Sequence, residues 1–166
     1  MYKRQVFKAS IASRKDTLGV VYHQPREEVF THNKDRLLAD VKVALGGYVA
    51  EKMRFGTTSD GVAADFHQAM IVAHNMVWRF GMSDAEYLGD YTAIPETQLS
   101  DKVKELLNEE VDKIFRACLK DVETLLAKEK PLLERFVKEL LEKEELEYDE
   151  IESIFNEFGK SHIKAV

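Results

Sequence analysis

Between Ser100 and Leu126 the apolar residues Val103, Leu106, Leu107, Val111, Ile114, Phe115, Cys118, Val122, Leu125 and Leu126 recur at three- and four-residue steps for about seven turns. A run of that period hides its apolar stripe only as a helix packed on other helices. The same period governs much of the rest. Asn33 is a good N-cap residue, and Leu37, Leu38, Val41, Ala44, Leu45, Val49 and Met53 predict a helix reaching about Phe55. A second helix is predicted from about Val62 to Phe80, stopped by Gly81, with Val62, Phe66, Ala69, Met70, Ala73, Val77 and Phe80 on one face. Pro131 suits the first residue of a helix PLLERFVKELLEK, because its missing N–H would have no intrahelical partner there anyway. YDEIESIFNEF is a last short helix closed by Gly159. Gly46 and Gly47 lie inside the first helix, where each costs about 1 kcal/mol relative to Ala, so they are expected to admit another backbone.

Before Asn33 the pattern differs. Residues 6–12 (VFKASIA) and 18–24 (LGVVYHQ) are short, rich in Val and Ile, and separated by polar SRKDT, which predicts two antiparallel strands ended by Pro25. The fold class is therefore mainly α with a small N-terminal antiparallel β pair. With 166 residues and no repeat or Pro/Ser-rich linker, one domain is expected.

Composition narrows the function classes. A formal charge of -6, with Lys and Arg interleaved with Glu, argues against nucleic acid as a partner. The single cysteine, Cys118, has no internal disulfide partner and lies on an apolar stripe, which predicts a buried structural thiol in a reducing compartment. No apolar run is long enough to span a membrane, and MYKRQVFKAS lacks the apolar core of a signal peptide, so the segment itself is expected to be soluble. The charge-rich helix faces read as solvated surface.

Self-contained chemistry is missing from the 166 residues. None of His23, His32, His67, His74 and His162 is followed by Glu, so there is no H-E-x-x-H zinc motif, and neither a phosphate loop nor a G-x-S-x-G turn occurs. One position stands out. In GVAADFHQAM, Asp65 falls at the start of a helix expected to be buried, on the edge of its apolar face in line with Val72 and Met76. His67 and His74 project roughly 160 to 180° away from it, about 10 Å apart from each other, and read as exposed polar positions. From spacing alone Asp65 caps its helix, pairs with a surface base or binds a metal.

The segment ALGGYVAEKMRFGTTSDGVAADFHQAMIVAHNMVWRFGMSD resembles the second half of the peptidase domain of FtsH-type ATP-dependent zinc metalloproteases. GGYVAEKMRFG and MVWRFGMSD match that family's GG-x-VAE-x-x-x-FG and MV-x-x-FGMS segments, and the Asp of the motif between them falls on Asp65 without a gap. Ala64 stands where Asn is common. VFKASIASRKDTLGVVYHQP is similar to the family's strand pair, and LLEKEELEYDEIESIF to its C-terminal helical hairpin, so the resemblance covers about residues 6–158.

The resemblance implies a role for Asp65 as the third zinc ligand, completing a site begun by two histidines of an H-E-x-x-H helix that precedes residue 6. It implies that Gly19, Val20 and Val21 belong to an edge strand over the active site, to which unfolded protein substrate adds as another strand. Gly46, Gly47 and Gly81 are then structural. It further implies zinc as cofactor, ATP and Mg at an upstream ATPase module, a homo-hexamer built partly by the helices after Ser100, and a membrane-anchored, cytoplasmic-facing intact enzyme. Since these residues hold neither the H-E-x-x-H helix nor the ATPase module, this chain alone is expected to be inactive. MYKRQ has no counterpart in the resemblance and is expected not to be native. The alternatives are a noncatalytic ring scaffold of the same family and a free-standing helical interaction module.

Overall fold

The computed structural model of the protein describes residues 4–13, 19–25, 31–85 and 88–160. Its elements are β1 (Arg4–Ser10), β2 (Val20–Pro25), α1 (Lys34–Phe55), α2 (Ala63–Trp78), α3 (Asp101–Lys128), α4 (Lys130–Lys143), β3 (Glu145–Glu147) and α5 (Tyr148–Glu157). The mainly α class is as expected. The chain groups into two compact units, one of residues 31–127 and one that joins residues 1–30 to 128–166. The polar connection at residues 14–18 and His162 lie outside the described residues.

In the contiguous unit, Asn33 caps α1 by accepting the Arg36 N–H at 3.0 Å, and Gly56 closes it in the left-handed conformation at φ 69°. Val41, Leu45 and Val49 form the buried stripe of α1, spaced by four because one turn is 3.6 residues. They meet Ala69, Ala73 and Val77 of α2 and Leu107, Val111, Cys118 and Val122 of α3. Aromatic rings fill the margin, with Phe66 4.8 Å from Tyr48 and 6.0 Å from Phe115 between centroids. Cys118 is buried as expected, and burial pushes its thiol pKa up. The face of α2 is rotated from its expected position. Met70 and Phe80 are nearly half exposed, while Met76 and Trp78 are buried instead.

The other unit contains the expected antiparallel strand pair and adds a third strand to it. β1 lies between β2 and a third strand, β3, all antiparallel. LLEKEELEYDEIESIF is therefore a hairpin of α4 and α5 interrupted by strand, with Ala9 opposite Leu146 and Lys8 opposite Glu147. A bulge at Phe7 shifts the β1–β2 register, since Val6 faces His23 and Lys8 faces Tyr22. An extra residue reverses the alternation, which is how Val6 and Ala9, three apart, both pack on the cluster of Leu132, Leu146, Ile151 and Ile154. On the opposite face Lys8 binds Glu145 and Glu147, each at 2.7 Å, and these carboxylates raise the pKa of its ammonium.

Charge ties α4 to α5. Glu139 accepts from Lys143 at 2.7 Å and Arg135 at 2.5 Å, while Lys143 also reaches Glu150 at 2.6 Å. Hydrogen bonds from Lys143 and then Arg135 lower the Glu139 pKa from 4.5 to about 2. A carboxylate with a depressed folded pKa contributes stability above its unfolded value and loses it as the pH falls through the folded one. Glu139→Gln is therefore expected to lower the Tm at neutral pH, and the deficit to shrink from near pH 5 until it vanishes close to pH 2. Thermal melts of both proteins across that window check it; a deficit that ignores pH would rule out the linkage.

Candidate functional site

The approach to Asp65 is built by short polar contacts. After Gly56, the Glu51 carboxylate accepts the Ser59 N–H at 2.9 Å, and the Ser59 hydroxyl accepts the Gly61 N–H at 3.3 Å. A single 3-10 turn, Asp60–Val62, then feeds α2. Val62 occupies the N-cap position and makes no side-chain cap. Asp65 is thus the acidic residue of the first turn, where the unpaired N–H groups and the helix dipole favour an anion.

Asp65 is exposed, whereas the helix start was expected to be buried. Among the described residues it neither caps α2 nor forms an ion pair or hydrogen bond. Two of the three roles open to it from spacing are therefore unrealised there. Its carboxylate lies against α1. A Cβ placed on Gly47 would be 3.4 Å from Asp65 Oδ2, while one placed on Gly46 would meet nothing within 4 Å. Among the described residues no other backbone comes within 4 Å of a Cβ placed at either glycine, and what approaches Gly47 is a carboxylate. Gly81 takes φ 59° after α2, a conformation that favours glycine, while a Cβ there would make only ordinary contact with Leu88 and Gly89.

The histidines stand apart from this carboxylate in role. His67 is exposed, but His74 is half-buried and stacks on Trp78 with 4.9 Å between centroids and 11° between planes, so it is not simply an exposed polar position. No three His, Cys, Asp or Glu side chains cluster to hold a metal ion among the described residues. Asp65 can supply a single anionic oxygen, the donor type that zinc accepts beside histidine nitrogen.

The other candidate feature belongs to the sheet. In the order β2-β1-β3, β2 is an edge, with one side unpaired among the described residues. Val20 is half-buried opposite Ser10, and Val21, opposite Ala9, is 50% exposed. Gly19 precedes the strand, and a Cβ there would sit 3.1 Å from the Ser10 carbonyl oxygen. A side chain there would need the Ser10 backbone to give by a few tenths of an ångström, so glycine suits the close entry of the chain into the sheet. None of the described helices is long and apolar enough to cross a membrane.

Comparison with known proteins matches residues 1–154 to the model of peptidase family M41, a match that includes MYKRQ. The chain is 34% identical over 162 residues to the ATP-dependent zinc metalloprotease FtsH of Pelodictyon phaeoclathratiforme, covering 90% of this chain and 24% of that protein. It is 32% identical to the FtsH of Borreliella burgdorferi over 158 residues, covering 89% and 25%. For the FtsH of Thermotoga maritima the identity is 33% over 153 residues, covering 84% and 25%. The chain spans about a quarter of the length of these curated relatives. With nearly all of its length inside the family match, the chain belongs to peptidase family M41, as the resemblance to FtsH-type proteins implied.

Proposed function

We propose that this chain is part of an ATP-dependent zinc metalloendopeptidase that hydrolyses peptide bonds in unfolded or membrane proteins, and that it contributes Asp65 as a zinc ligand and β2 as a substrate edge strand. The observation that carries the reading is Asp65 itself: an exposed first-turn carboxylate without a protein partner among the described residues, in a chain of family M41. Its donor chemistry fits one position of a three-ligand catalytic zinc site, with the other two ligands coming from outside the described residues. Zinc, when bound, polarises a carbonyl and lowers the pKa of its water to roughly 7.

The residues of this chain hold and aim. Burial of Ala69, Ala73, Met76 and Val77 fixes α2, so the Asp65 carboxylate is carried on a rigid element. The open side of β2 offers backbone N–H and C=O groups to an extended peptide at Gly19, Val20 and Val21, a readout that tolerates many sequences. Assembly into a six-membered ring belongs to the same proposal. Val137 and Leu141, one turn apart on α4 and exposed, are apolar residues that such a contact would cover. ATP and Mg at an ATPase module, and a membrane anchor with this domain facing the cytoplasm, complete it.

Metal removal tests the activity. In the enzyme that carries this segment, 1,10-phenanthroline is expected to stop cleavage of unfolded casein while ATP hydrolysis continues, and added zinc to return it. Cleavage that persists after the metal has been stripped would overturn the reading.

A further inference from the structure

We propose that Gly47 is a positioning residue for Asp65: its missing side chain leaves one carboxylate oxygen open to a cation. The inference rests on the reading of Asp65 as a zinc ligand and goes beyond it to a residue on a different helix. Gly46 and Gly47 sit side by side within α1, where alanine is the better helix former, so helix formation alone accounts for neither. Their surroundings differ. A Cβ at Gly46 would enter open space, and one at Gly47 would reach 3.4 Å from Asp65 Oδ2.

A methyl at that distance rests in ordinary van der Waals contact with the oxygen and covers the side of it that faces α1, and a branched side chain would cover more. Asp65 makes no hydrogen bond among the described residues that would return it to place. Shape is then the means by which the neighbouring helix aims this ligand, in the way that hydrogen-bonded partners aim other metal ligands. Adjacent glycines thus provide a test and its control on the same helix.

The experiment uses the enzyme that carries this segment together with its remaining ligands, loaded with zinc or with cobalt(II). Gly46→Ala is expected to leave zinc affinity and the cobalt absorption spectrum as in the parent. Gly47→Ala is expected to weaken zinc about tenfold and to shift the cobalt bands, and Gly47→Val to weaken it further. Both alanine variants should melt at or above the parent temperature, which separates an aiming defect from a folding defect. If Gly47→Ala folds and binds zinc and cobalt as the parent does while Asp65→Ala does not, the role of Gly47 is overturned and the ligand stands. If Asp65→Ala keeps its zinc, both fall. Should Gly47→Val not fold, the alanine variant decides.

Discussion

Asp65→Ala, made in the intact enzyme, is expected to empty the zinc site and lower peptide cleavage by at least about 100-fold, with ATP hydrolysis retained. The size of the effect follows from coordination number. A catalytic zinc has three protein ligands, so on the proposed reading losing Asp65 removes one of the three and the negative charge it brings. Asp65→Asn keeps the shape but not the charge and is expected to behave nearly as badly. Asp65→Glu keeps the charge and moves it outward by one methylene, so it should bind metal weakly and cleave slowly. Folding should barely respond. Asp65 is exposed and lacks a protein partner among the described residues, so its removal forfeits only the interaction of an acidic group with the first turn of α2, less than about 1 kcal/mol. Metal analysis and denaturant melts on the same samples separate the two quantities. Zinc content unchanged in all three variants would end the assignment.

Leu45→Ala is expected to cost about 2–5 kcal/mol of folding stability. Leu45 has no exposed surface, and it sits midway along the α1 stripe between Val41 and Val49, in the cluster that α2 and α3 complete. Truncation removes its transfer energy and opens a cavity that three helices cannot easily close. Domains have about 5–15 kcal/mol in all, so the variant should unfold at much lower urea. Val43→Ala, two residues away and 55% exposed, provides the comparison and should stay within about 0.5 kcal/mol. Equal midpoints for the two variants would contradict the packing described for α1.

The helices of residues 31–160 were legible because their ends and faces are written locally. Asn33 accepts the N–H that its side chain is suited to accept, and Gly56 and Gly159 take the positive φ that other residues resist. Cys118 follows from the stripe that contains it. The third strand was not legible. Glu145–Glu147 is three residues long with two glutamates, a residue type depleted in strands, and its pairing is decided by Lys8, Ala9 and Ser10 far away in the sequence. The Phe7 bulge was equally hidden, since its effect is to let Val6 and Ala9 share a face that strict alternation denies them. At the candidate site, Asp65 stood out as a charge beside an apolar face, but its exposure depends on how α2 is rotated. That rotation is set by Met76 and Trp78, which are buried in place of Met70 and Phe80. The role of Gly47 needed two helices side by side to be seen.

The pairing of β1 with β3 also sets an order for biosynthesis. Lys8 and Glu145, bonded across the sheet, are 137 residues apart in the chain. A ribosome adding about 5–20 residues per second separates their appearance by roughly 7 to 27 seconds. Residues 31–127 are contiguous, so that helical unit can close while the nascent chain is still growing. β1 and β2 emerge before that helical unit but acquire their third strand and the α4 and α5 cluster only after it. Until then Val6 and Ala9 lack the Leu132, Leu146, Ile151 and Ile154 cluster they pack on, and a chaperone that recognises short apolar strands has its best opportunity at these two strands.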